Sequence, residues 1–127
     1  MSQTNETSYR VLVVDDNVDA AITLGMILRV LGHEVAIGHD GLEGLDLATK
    51  FNPHLVILDI GMPKLNGYDT CRGIRNLPHG PNMLIVALTG WGQPEDRQKS
   101  QEAGFNYHIV KPLEPTRLQE LLAELRQ

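Results

Sequence analysis

Tyr9–Ala20 reads YRVLVVDDNVDA, with four apolar residues, Val11 to Val14, running straight into two carboxylates, Asp15 and Asp16. An apolar run without polar alternation is the pattern of a strand covered on both faces. Residues 17–31 then place Val18, Ala21, Ile22, Gly25, Leu28 and Leu31 at helical spacing, and Gly32 is suited to end the helix. The segment therefore reads as a β-α unit. The physical puzzle is why a buried strand should deliver two like charges to its end.

The same alternation continues along the chain. Strands are expected at 34–37, 54–59, 83–88 and 107–110. Helices are expected at 41–50, with Leu42, Leu45 and Ala48 inward, and at 67–76, with Tyr68, Cys71 and Ile74 inward. A polar helix follows at 94–103, and a last one starts near Pro115 with Leu118, Leu121, Leu122 and Leu125 inward. Five β-α units, with strands 11–14, 54–59 and 83–88 lacking polar alternation, indicate an α/β fold, a parallel sheet doubly wound by five helices. This pattern leaves the strand order open. Such sheets bind ligands at the carboxyl ends of their strands.

Composition bounds the class. The 127 residues suit one domain, with 42% apolar and 21% charged residues, a formal charge of -5 and a pI near 5.4. That balance, without a Lys/Arg cluster, argues against nucleic-acid binding. No apolar run approaches the ~18 residues of a membrane span. Residues 1–8, MSQTNETS, are expected to be a disordered tail before a domain at 9–127, since they lack the apolar core of a signal peptide. The single Cys71 has no cysteine partner and falls on an apolar helical face, so it reads as a buried thiol in a reducing, cytoplasmic setting.

In a parallel sheet, the residues ending the strands share one edge: Asp15 and Asp16, Asp59, Thr89 and Lys111. Each has a plain alternative. An Asp is a good helix N-cap, Asp59 could close a turn, and Thr89 and Lys111 could be ordinary edge residues. Capping needs one acid, not two. Two unit charges ~4 Å apart repel by about 4 kcal/mol at an effective dielectric near 20, so either one acid stays protonated or a cation sits among them. Oxygen-only ligands suit a hard ion such as Mg²⁺. A cation, a lysine and a hydroxyl together are built to receive an anion with several oxygens, as in phosphoryl transfer. A carboxylate can be the nucleophile, and Asp59 is assigned that role.

These residues resemble the receiver domain of two-component response regulators. VLVVDDN resembles the family's acidic-pair motif, and LVILDIGMPKLNGYD its phosphoacceptor motif, with Asp59, Met62, Pro63 and Gly67 in place. ALTG carries the switch hydroxyl at Thr89, and VKP carries Lys111 with Pro112. The resemblance spans about residues 9–126. It implies a flavodoxin-like strand order of 2-1-3-4-5. It also implies that Asp59 takes a phosphoryl group from a phosphohistidine on a histidine kinase or phosphotransfer domain. Mg²⁺ would be held by Asp16, Asp59 and the Gly61 carbonyl, with Asp15 acting mainly through water. Lys111 would pair with Asp59 and then with the phosphate, Thr89 would move to the phosphate, and the Lys111–Pro112 bond would be cis.

The chain departs from the family pattern at the switch aromatic, three residues before the lysine. His108 stands there, and the aromatic is Tyr107, which must face the other way because strand residues alternate. The segment from Leu88 to Pro112 is similar to receivers of hybrid histidine kinases. The strand 5 acidic pair of transcription-factor receivers is replaced by Asn106 and Tyr107, so a monomer is expected. Trp91, two residues past Thr89, is placed to shield an aspartyl phosphate from water. No output domain is read in the sequence, and no turnover enzyme is expected beyond self-phosphorylation and slow self-dephosphorylation. A phosphate-independent adaptor on the same fold is the main alternative. An aspartyl-phosphate phosphatase would want an acid where Gly61 stands, and a flavin phosphate would be repelled by the acidic pair. His33, His39, His54 and His79 are scattered and receive no chemical role.

Overall fold

In the computed structural model the described residues are 8–61, 66–90 and 94–126, with residues 94–96 given by their backbone alone. The strands are β1 (Arg10–Val14), β2 (Glu34–Gly38), β3 (Leu55–Asp59), β4 (Leu84–Thr89) and β5 (Tyr107–Val110). The helices are α1 (Val18–Val30), α2 (Gly41–Phe51), α3 (Gly67–Arg75), α4 (Pro94–Ala103) and α5 (Pro115–Glu124). All strand pairs are parallel, in the order β2-β1-β3-β4-β5. The expected strand order and parallel architecture are thus observed.

Strand alternation divides the core in two. Val11 and Val13 of β1, with Leu55, Ile57, Val86 and Leu88, pack against Ala21 and Leu28 of α1 and Leu118, Leu121 and Leu122 of α5. Leu12 and Val14, with Val56, Leu58, Ile85 and Ala87, pack against Ala48, Cys71, Ile74, Ala103 and Phe105. Cys71 is fully buried, and desolvation pushes its thiol up to about 11, as expected for an inert structural group.

Three inward assignments fail. Val18 is 47% exposed, Ile22 45% and Leu42 57%. In α1 the contact with the sheet runs instead through Ala21, Gly25 and Leu28. A β-carbon on Gly25 would meet Ile37 Cδ1 at 3.0 Å, so the helix lies close to β2 on that narrow stripe and leaves the neighbouring apolar residues outside it. α2 behaves alike, burying Gly41, Gly44 and Ala48 rather than Leu42.

One side chain ties together the end remote from the acids. The Arg75 guanidinium donates to the carbonyls of Gly80 (2.8 Å), Met83 (2.7 Å) and Gly104 (2.8 Å) and to Asn106 Oδ1 (2.7 Å). Asn106 Oδ1 also accepts the Ile85 N–H at 2.7 Å. At the same edge, His33 and His54 accept the backbone N–H groups of Tyr9 and Arg10 through Nδ1, at 3.1 and 3.0 Å. These histidines, without chemistry in the sequence reading, serve as backbone acceptors.

Candidate functional site

Register brings the polar strand ends together. Val14 pairs with Leu58, so the next residues, Asp15 and Asp59, leave the sheet side by side. Thr89 pairs with Val110, and the Lys111 N–H that follows donates to the Thr89 carbonyl at 2.7 Å. Each acid sits where its neighbour in the sheet fixes it, and none depends on a long flexible loop.

Neither Asp15 nor Asp16 caps α1. Asn17 does, its Oδ1 accepting the Ala20 N–H at 3.0 Å. Asp15 instead accepts the Asn17 N–H through Oδ1 at 2.9 Å. Asp59 similarly accepts the Gly61 N–H through Oδ1 at 3.1 Å. Each carboxylate then points its other oxygen at one ammonium: Lys111 Nζ lies 3.6 Å from Asp15 Oδ2 and 3.6 Å from Asp59 Oδ2. The lysine therefore bridges both buried acids, where a pairing with Asp59 alone was expected. Asp15 and Asp59 are 5% and 7% exposed, while Asp16 is open to solvent.

One oxygen from each of Asp15, Asp16 and Asp59 lies within 4.8 Å of the others. Three carboxylates against one ammonium leave a net negative charge. With oxygen donors only, the set fits a hard divalent cation such as Mg²⁺ and disfavours zinc or copper. Gly61, whose carbonyl was expected to join them, follows Asp59 by two residues and is exposed.

Thr89 is 5% exposed at the end of β4. The Lys111–Pro112 bond is cis, as the resemblance implied. His108 pairs with Ala87, on the face of the sheet toward α4, and its Nδ1 lies 2.7 Å from Ser100 Oγ. Its Nε2 is buried without a hydrogen-bond partner among the described residues. Tyr107 faces the opposite side. Its hydroxyl donates to Glu124, which raises the phenol pKa, and the Arg117 guanidinium lies 4.9 Å from its ring centre. The sequence reading of opposed directions for Tyr107 and His108 is borne out. Trp91, Met62, Pro63 and residues 1–7 of the expected tail lie outside the described residues.

The sequence reading missed two contributors. His39, after β2, places Nδ1 3.3 Å from the Asp15 carbonyl, so it must carry the proton there. Ser100, 1% exposed in the polar helix α4, is the partner of His108. A buried serine in a helix without apolar periodicity leaves no sequence signal.

Comparison with known proteins agrees with this geometry. The response regulator receiver domain model matches residues 11–123. Response regulator MprA of Mycobacterium bovis is 35% identical over 119 residues, which cover 94% of this chain and 50% of that protein. The chain thus spans about half the length of that relative. Among solved structures, the chemotaxis protein CheY4 of Vibrio cholerae superposes with a TM-score of 0.87 at 28% identity, covering 94% of this chain and 99% of that one. The receiver domain of sensor histidine kinase PA1611 from Pseudomonas aeruginosa, which holds a magnesium ion in its active-site cleft, gives 0.86 at 29% identity, covering 95% and 100%. The doubly wound parallel sheet in the order β2-β1-β3-β4-β5 places the chain in the flavodoxin-like α/β class, and within it the chain belongs to the response regulator receiver domain family of two-component signalling. Members of that family are signalling modules rather than turnover enzymes. No helix among the described residues is long and apolar enough to cross a membrane.

Proposed function

We propose that the protein is a phosphoacceptor switch in a two-component phosphorelay, with Asp59 as the acceptor. The observation that carries this is the environment of Asp59: a nearly buried carboxylate whose Oδ2 is 3.6 Å from Lys111 Nζ and which shares a 4.8 Å cluster with Asp15 and Asp16. The donor is a phosphohistidine on a histidine kinase or phosphotransfer domain. The Asp59 carboxylate attacks phosphorus, the bond to the imidazole nitrogen breaks, and its electron pair stays with the imidazole. Asp15, Asp16, Asp59 and the Gly61 carbonyl would hold Mg²⁺, which when bound neutralises charge on the phosphoryl oxygens. Lys111 holds the acceptor carboxylate in place, then follows the new charge onto the phosphate. The Thr89 hydroxyl donates to a phosphoryl oxygen and draws the segment after β4 inward.

His108 takes the place of the family's aromatic in relaying that movement to α4, and Trp91 slows water attack on the acyl phosphate. Pro112 shapes the turn that presents Lys111. The similarity of Leu88–Pro112 to hybrid-kinase receivers supports a phosphorelay setting; Asn106 and Tyr107 in place of a strand 5 acidic pair support a monomer, and the single buried Cys71 a cytoplasmic one. A phosphate-independent adaptor is less favoured, because such a role leaves the three acids, Thr89 and Lys111 without a purpose.

Intact-mass analysis after incubation with acetyl phosphate and Mg²⁺ tests the reading. One phosphoryl adduct is expected, lost on chelation and in Asp59→Asn. Absence of an adduct from both acetyl phosphate and a phosphohistidine protein would refute it.

A further inference from the structure

Little holds α4 to the sheet. Among its described side chains only Ser100 and Ala103 are buried, and Ser100 is the polar one. Ala103 packs into the core, whereas Ser100 reaches β5: its Oγ lies 2.7 Å from His108 Nδ1. The other ring nitrogen, Nε2, is buried without a partner among the described residues. In a neutral imidazole one nitrogen donates and the other accepts, so in either tautomer Ser100 satisfies one and leaves the other unfilled. A buried polar group without a partner costs at least as much as one hydrogen bond gains. The ring's place under α4 is therefore poised, and the Ser100 bond tips it inward.

The same ring is tied to the phosphoryl site through the sheet. His108 pairs with Ala87, and Thr89 follows Ala87 on that face two residues later. Lys111, three residues after His108, donates its N–H to the Thr89 carbonyl. Four residues, 90–93, join Thr89 to Pro94 at the start of α4. A pull on Thr89 toward a phosphate therefore reaches the beginning of α4, while Ser100 fixes its second half to β5.

We propose that Ser100 is a positioning residue: its bond to His108 is a tether that holds α4 in the unphosphorylated arrangement, and phosphorylation of Asp59 breaks it. The inference rests on Asp59 being the acceptor and on the inward movement of Thr89. A tether present in one arrangement and absent from the other sets the ratio between them. One net hydrogen bond corresponds to about fivefold in an equilibrium constant. A donor that reacts with the minor arrangement sees its rate scale with that population.

The test is the rate of adduct formation by Ser100→Ala with acetyl phosphate and Mg²⁺. Alanine is smaller and a better helix former, so the fold should persist. The rate should rise about threefold to fivefold over the native protein. In a His108→Phe background, where the ring has no nitrogen to bind, Ser100→Ala should change the rate no further. The backbone amide signals of Thr89 and Lys111, outside α4, should lie in Ser100→Ala part of the way toward their phosphorylated positions in NMR spectra, which a loss of packing alone would not produce. In the native protein the His108 Nδ1 resonance should lose its hydrogen-bonded shift as the adduct forms. An unchanged or slower rate in Ser100→Ala, the same rise in the His108→Phe background, or a His108 resonance unmoved by phosphorylation would overturn the tether. No adduct in the native protein would refute the acceptor reading and the tether together, a result distinct from equal rates.

Discussion

Substituting Asp16 by Asn should make the metal-free protein more stable, although Asp16 is a proposed ligand. The three carboxylate oxygens lie within 4.8 Å of one another, and only Asp15 and Asp59 are paired with Lys111. At that separation one like-charge pair costs about 0.9 kcal/mol in water and about 3.5 kcal/mol at an effective dielectric near 20. Asp16 is exposed, so its two pairs fall near the lower figure, about 2 kcal/mol in all. The unfolded chain keeps part of the repulsion between neighbours Asp15 and Asp16, which leaves a net gain of about 1–2 kcal/mol. For a domain of this size that raises the melting temperature by about 3–8 °C. The assay is urea or thermal unfolding in chelator at low salt, repeated in 1 M salt and with Mg²⁺. High salt should shrink the difference. Mg²⁺ at ten times its dissociation constant should add about 1.4 kcal/mol to the native protein and much less to the variant, closing or inverting the gap. An Asp16→Asn protein no more stable than the native one in chelator would refute the electrostatic reasoning. Equal responses to Mg²⁺ would refute the ligand assignment.

Arg75→Met should destabilise the fold by about 3 kcal/mol in urea unfolding, since one guanidinium satisfies four acceptors; Arg75→Lys should recover little, because an ammonium lacks the planar fork, and full recovery would count against the geometry. Burial, then the nearby Arg10 charge, lowers the His54 pKa from 6.5, with Glu34 opposing. The unfolded chain therefore binds the proton first, so the His54 contribution is intact above pH 6.5 and is lost as pH falls from there through the folded value. Urea midpoints from pH 7.5 down to 5 should decline less in His54→Gln, and parallel profiles would contradict this. Ser100→Ala should raise hydrogen exchange in α4 about tenfold before any phosphorylation, because Ser100 and Ala103 are the buried residues among the described side chains of that helix; unchanged protection would show that the Ser100–His108 contact does not hold it.

Sequence pattern was enough for the fold class because strand burial on both faces leaves a visible mark. Val11–Val14, Leu55–Leu58 and Leu84–Leu88 have no polar alternation, and chain chemistry alone demands helices over both faces. The strand-end groups were legible too: in a parallel sheet every strand exits on the same side, so Asp15, Asp59, Thr89 and Lys111 fall on one edge, while which of them are neighbours depends on the strand order. Helix faces were less legible. Val18, Ile22 and Leu42 are as apolar as the residues that are buried. Periodicity marks a stripe wider than the sheet covers, and small residues such as Gly25 and Gly44 decide which part of it makes contact.

What the linear sequence determined was the set of polar groups at the strand ends and their order along the chain. What the tertiary structure decided was their partners. Lys111 bridges Asp15 and Asp59 because the β1–β3 register sets those acids side by side. Asn17 takes the capping role and leaves both acids free for other work. His108 meets Ser100, and Arg75 meets Asn106, across separations that carry no local pattern. Composition and periodicity report how much of a residue's surroundings are apolar. Which particular oxygen lies within 3 Å of a given nitrogen depends on how helices settle on the sheet, and that is a property of the packed chain.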